Sequence, residues 1–200
     1  KMHGRFPFGR PNTERPLRRP GQPAHVLVIG VYPSAFHVRW WRPDSNSSRP
    51  TISSLAVDVE PVGFWNGTTP SPDDLLDRWI TDVGFTETWG RVAPGLNGPS
   101  GQGLASHYLE PLGVDDTTTA YTDLIPWFFI KSGAKSQGDA INERFQPWAT
   151  GNDAPLCSLP ARPSSAALVD LARTTKRRES LRQEILDIHP QMILTLGQES

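Results

Sequence analysis

The sequence predicts an α/β protein built on a parallel core sheet. Residues 25–30, HVLVIG, form a continuous apolar run with β-branched side chains, closed by glycine. That is the pattern of a strand buried on both faces. Residues 118–125, TTAYTDLI, are stopped by Pro126, and MILTLG follows Pro190 as a further buried strand. Helical segments fall between these strands, and such alternation favours parallel pairing.

The elements follow in order. Residues 1–24 read as a basic, proline-rich arm, with Lys1, Arg5, Arg10, Arg15, Arg18 and Arg19 against Glu14. Its prolines forbid a helix. It is either a solvated extended tail or an arm that tracks a phosphate backbone. Residues 25–200 read as a single α/β domain. A second strand candidate spans 55–59, and alternation places Asp58 and Glu60 on one face. Residues 72–82 read as a helix: Ser71 caps it, Pro72 takes the first position, and Asp73 and Asp74 suit its amino end. Leu75, Leu76, Trp79 and Ile80 form its apolar stripe. Glycine and proline make 90–103 a loop, with short helices at 104–109 and 141–145 and another loop at 149–163. The longest helix spans 164–188, with the basic run Lys176-Arg177-Arg178 on an exposed face, and Pro190 ends it.

Composition narrows the function classes. The 200 residues are 36% hydrophobic, with 20 prolines and seven tryptophans, which suits a compact core with much ordered loop or an aromatic stacking surface. Formal net charge is −1, so nucleic-acid binding requires a local patch. Cys157 is the one cysteine, which excludes an intrachain disulfide and multi-cysteine zinc or iron–sulfur sites. A reducing cytoplasm and a monomer are expected. No run of eighteen apolar residues exists, and the N-terminus carries no apolar signal segment, so no membrane partner is expected. Histidine spacing gives no metal site and no cofactor motif is found: GxxxxGK[ST], GxSxG and HExxH are absent.

In open parallel sheets ligands bind beyond the carboxyl ends of strands. Three segments are therefore privileged: Gly30-Val31-Tyr32-Pro33-Ser34, Thr122-Asp123-Leu124-Ile125-Pro126 and Leu196-Gly197-Gln198. In order, GVYPSA, GFWNG, YTDLIP and HPQMILTLGQES resemble the motifs of the uracil-DNA glycosylase superfamily. The resemblance implies a three-layer α/β/α fold with a central, mostly parallel sheet. It implies a protein that takes a modified or deaminated base out of DNA and hydrolyses its N-glycosidic bond. It also implies a further helix, strand and His-Pro-Ser loop beyond those supplied by residues 25–200.

Residue by residue, the resemblance places Gly30 and Pro33 in the first motif. Its catalytic places fall on Val31 and Tyr32, neither of them acidic. Tyr32 is a candidate to orient a water. Ser34 is a candidate phosphate contact. Phe64 matches the aromatic that stacks on the base, with Trp65 in reserve; both also suit a core. Asp123 falls where the family reads the base edge. It either stays protonated in a dry pocket or favours a base with two adjacent donors. It could equally cap the loop that follows. The acid missing from the first motif could come from Glu60 in preference to Asp58. His37, in FHVRWW, could donate to phosphate, and Arg39 and Arg42, interleaved with Trp40 and Trp41, suit a single strand. Without an acid at Val31 or Tyr32, a second reading stands: a non-catalytic nucleotide- or nucleic-acid-binding module. A nucleotide-processing enzyme on a generic α/β sheet is the third.

Overall fold

The computed structural model describes residues 1–84, 90–92 and 95–197. Part of the predicted loop (93–94) and the end of the last motif, including Gln198, lie outside the described residues. In chain order the elements are β1 (Met2–Arg5), β2 (Pro11–Thr13), β3 (Val26–Gly30), β4 (Ala35–Trp40), β5 (Ile52–Val59), α1 (Pro72–Val83), β6 (Gly90–Val92), α2 (Pro99–Leu104), β7 (Thr119–Asp123), α3 (Gln137–Ala140), α4 (Gln146–Gly151), α5 (Ser165–Ala172), α6 (Thr175–Ile188) and β8 (Met192–Thr195). The fold is mixed α/β with several sheets.

One sheet is parallel, in the order β7-β3-β8. Its central strand β3 pairs Val26 with Thr119 and Gly30 with Asp123 on one side, and Val26 with Met192 on the other. Alternation along β3 explains its all-apolar run. Val26 and Val28 pack with Leu104, Leu109 and Tyr121, while Leu27 and Ile29 pack with Ala120, Leu181 and Ile185. Both faces of the strand are therefore covered. On the edge strand β8, Met192 and Ile193 remain exposed.

A second sheet is antiparallel, in the order β5-β4-β6. It corrects two expectations. The 55–59 strand exists, extended to Ile52–Val59, but it pairs antiparallel with β4 outside the parallel sheet. FHVRWW is chiefly a β-strand, and its Trp40 is core rather than a stacking surface: Phe36, Val38 and Trp40 are buried while Arg39 points to solvent. Period-two alternation drives this, since one strand face meets the core.

That core is aromatic. Phe36, Trp40, Trp65, Trp79, Phe145 and Trp148 are buried in one cluster with Phe6 and Phe8. Phe8 meets the Phe145 ring at 4.9 Å and the Trp79 ring at 5.5 Å, both edge-on. So residues 1–24 are not a solvated tail. β1 and β2 form a hairpin, and Phe6 is fully buried. Buried Asn12 bridges the backbone of Phe128, its Nδ2 donating to the carbonyl and its Oδ1 accepting from the N–H. Two large aromatic side chains outweigh the arm's charge, and Arg10, Arg15, Arg18 and Arg19 pair with carboxylates of the chain.

Helix chemistry follows the capping signals. Ser71 accepts from the Asp74 N–H, Pro72 begins α1, and Gly84 ends it in the left-handed region. Predicted helices at 104–109 and 141–145 continue α2 and α3 as wider π-type turns. The long helix 164–188 divides into α5 and α6. At the break, Thr174 Oγ1 donates to the Leu171 carbonyl at 2.8 Å, competing with the helical backbone. Restarting at Thr175 turns Arg177 inward, so the basic run is not wholly exposed: Arg177 is buried and donates to the Leu124 and Asp123 carbonyls at 2.9 and 2.5 Å.

Candidate functional site

The carboxyl ends of β3 and β7 meet at Gly30 and Asp123, and the chain beyond β5 brings Glu60 and Phe64 over them. Together with Tyr32, Ser34, Ser100, Arg162, Leu196 and Gly197 these residues line a slot of about 390 Å³. That volume lies within the range of small-ligand sites.

The floor is tightly made. A Cβ placed on Gly30 would stand 2.5 Å from Asp123 Oδ1 and 2.7 Å from Phe64 Cζ. Only glycine therefore lets the carboxylate and the aromatic ring approach the strand end together. Phe64 adopts a left-handed backbone, φ 54°, a conformation bulky residues rarely take. Its half-buried ring leans on Tyr121, 5.7 Å between centroids, and it also lines the slot.

The electrostatics centre on two buried carboxyl groups. Burial pushes Asp123 up to about 7, with Arg15 and Arg177 opposing and Glu60 and Glu184 adding. Among the described residues its carboxylate has no hydrogen-bond donor. Behind it, Arg177 holds the Asp123 carbonyl and pairs with Glu184 at 2.7 Å, while Glu184 accepts from Thr122 Oγ1 at 2.7 Å. Burial also raises Glu60, and Arg15 opposes this. Arg15 Nη1 donates to Glu60 Oε1 at 2.7 Å and Nη2 to the Glu60 carbonyl. The Ser34 N–H reaches the same Oε1 at 3.4 Å. Arg15 is itself fixed, its N–H donating to the Pro126 carbonyl at 2.6 Å.

The structure thus brings Gly30, Tyr32, Ser34, Glu60, Phe64 and Asp123 to one slot. Tyr32 meets Phe129 edge-on at 5.5 Å, and the Arg162 guanidinium lies 5.9 Å from its ring centre. The other candidates lie elsewhere. Trp65 does not face the slot: it is core, donating Nε1–H to the Pro70 carbonyl and packing edge-on against Phe36. Pro33 is buried and lines an adjoining groove instead. His37 lines that groove too, and burial lowers its pKa to about 4, so at neutral pH it is no phosphate-binding cation. Arg39 is exposed on β4, and Arg42 is occupied by Asp44, Nε to Oδ1 at 2.8 Å; neither lines the slot. Asp58 parts from Glu60, pairing with Arg10 at 3.2 Å in a cleft of its own beside Asp82.

Sequence reasoning missed Arg15, Arg162 and Ser100. Arg15 stood only as part of a basic arm. Arg162 gave no local signal, because it is positioned by a non-local pairing of its N–H with the Ile130 carbonyl at 2.8 Å. Among the described residues, no helix is long and apolar enough to cross a membrane, and no cluster of three or more His, Cys, Asp or Glu could hold a metal. Family models, curated proteins and solved structures give no match to this chain.

Proposed function

We propose that the chain is a divergent protein of the uracil-DNA glycosylase type, which takes a modified or deaminated base flipped from DNA and hydrolyses its N-glycosidic bond. One observation carries the reading: an aromatic ring and a buried carboxyl group converge over Gly30, with a second carboxylate and a tyrosine in the same slot. A flat heterocycle stacks on Phe64 and presents its edge to Asp123. Protonated, Asp123 offers one O–H donor and one carbonyl acceptor, the same pair that a carboxamide offers. A uracil-like edge, with N–H beside C=O, satisfies both. The proposed fold is the three-layer α/β/α arrangement; the parallel sheet with both faces of its central strand covered supports it. The protein acts as a monomer in the cytoplasm, where Cys157 stays a free thiol.

In the proposed chemistry a water oxygen adds to the anomeric carbon as the bond from sugar to base breaks. The bond's electron pair leaves with the base, stabilised by the Asp123 O–H. The water's proton passes to Glu60 through Oε2, since Arg15 and Ser34 occupy Oε1. Tyr32 orients the water. Oligonucleotides carrying uracil, hypoxanthine or xanthine, incubated with the protein and then treated with alkali, test this. Scission that is lost on Glu60→Gln supports it. The hold of Arg15 on Glu60 favours a second reading, a binding module without catalysis, for which base-selective binding without scission is the expected result. Neither binding nor scission overturns both.

A further inference from the structure

Beside the slot lies a larger open groove of about 740 Å³. Tyr32 and Ser34 line both, so the two cavities adjoin. The groove's chemistry differs from that of the slot. Ser53, Ser54 and Ser136 contribute to a polar lining, and Lys131, Lys135 and Arg144 contribute positive charge. Lys131 and Lys135 are exposed, and among the described residues neither ammonium has a carboxylate partner. Arg144 is anchored through Nη1 to the Thr51 carbonyl at 2.8 Å. Two carboxylates share the lining, Asp139 and Glu143. The first is engaged locally, accepting from the Lys135 N–H at 2.9 Å. The His37 ring reaches the same groove with a buried Nδ1 that has no hydrogen-bond partner. A chain of net charge −1 thus places three cations against two acids beside a base-sized slot.

We infer that this groove is a second binding site, which takes the sugar–phosphate strand attached to the base in the slot, with Lys131 and Lys135 contacting its phosphates. The inference rests on the reading of the slot as a base site and deepens it by placing the track of the strand that carries the base along Lys131 and Lys135. A lone base or nucleoside would leave the groove empty. A strand fills it and brings phosphates within reach of two exposed ammonium groups, whose attraction is sequence-independent.

The test is fluorescence anisotropy with a labelled single-stranded oligonucleotide carrying one uracil, across a salt series, beside uridine monophosphate as competitor. Lys131→Gln/Lys135→Gln is the variant; both positions are exposed, so folding is preserved. Two phosphate contacts on a single strand contribute a slope of about −1.4 in log affinity against log salt. Expected is an oligonucleotide bound at least tenfold more tightly than the monophosphate, a slope reduced by about that amount in the variant, and an unchanged monophosphate affinity. A strong oligonucleotide complex whose slope is unchanged in the variant overturns the groove assignment and leaves the slot reading standing. Oligonucleotide and monophosphate bound equally overturns it as well. If neither binds, the slot reading falls with it.

Discussion

Gly30 and Asp123 are register partners on adjacent parallel strands, and the Asp123 carboxylate occupies the space that a side chain at position 30 would need. The shape of the slot therefore depends on an absent methyl group. Gly30→Ala forces Asp123 and the Phe64 ring apart. The expected cost is about 1–3 kcal/mol of stability, as for other overpacked sites, together with loss of base binding. Denaturant melts and ligand titration check both, and unchanged binding in a folded variant refutes the geometry.

Arg15 and Glu60 form a buried ion pair across 45 residues of sequence. Removing one partner strands the other charge. Arg15→Ala is expected to destabilise by about 3–5 kcal/mol, and Arg15→Met combined with Glu60→Gln by much less. Additive losses in the double-mutant cycle would show that the pair is not coupled.

Asp123 sets a pH dependence of known sign. Its ordinary value is 3.8 and its folded value about 7, so between these the folded chain holds the extra proton. Stability from this group is full below pH 4 and is lost as pH rises through 7. Asp123→Asn should therefore gain on the wild type by on the order of 4 kcal/mol between pH 4 and pH 8. Melts at both values read it; a gap that does not change with pH contradicts the burial. The same variant should keep uracil binding at pH 8, where the wild type, ionised, loses it.

His37 acts with the opposite sign. Burial lowers it from 6.5 to about 4, so on acidification the unfolded chain takes the proton first. Its contribution is full above pH 6.5 and falls away towards pH 4. NMR titration should find the imidazole neutral at pH 6, and His37→Gln should flatten the acid limb of the stability curve. An imidazole that titrates near 6.5 in the folded protein refutes this.

Phe64 and Trp65 are adjacent but should separate experimentally. Trp65→Ala empties a buried core position, costing about 3–5 kcal/mol. Phe64→Ala removes a half-buried ring held on a left-handed backbone, so binding falls far more than stability does. Equal losses of stability at the two positions would make Phe64 a core residue.

The sequence made the local parts legible. Val26 to Gly30, the Ser71 cap and a strand before Pro126 follow from periodicity and from turn and cap chemistry. Glu60, Phe64 and Asp123 drew notice through a resemblance in motif order, not through periodicity. Long-range pairing stayed hidden. Nothing near Arg15 announces Glu60, and nothing near Arg162 announces Tyr32. The alternation of Phe36, Val38 and Trp40 was visible, yet the arginines between them drew attention to charge. The basic arm misled for the same reason: Phe6 and Phe8 decide its place, and their partners lie more than 30 residues away.

Those partners also arrive late. Arg5 exchanges backbone and side-chain hydrogen bonds with Ser158, and Arg18 bridges to Tyr121. During synthesis residues 1–20 leave the ribosome well before residue 158 does, so Phe6 and Phe8 emerge ahead of the partners that cover them. That aromatic segment is thus a natural target for chaperone capture, and the slot can close only once Leu196 and Gly197 have left the tunnel.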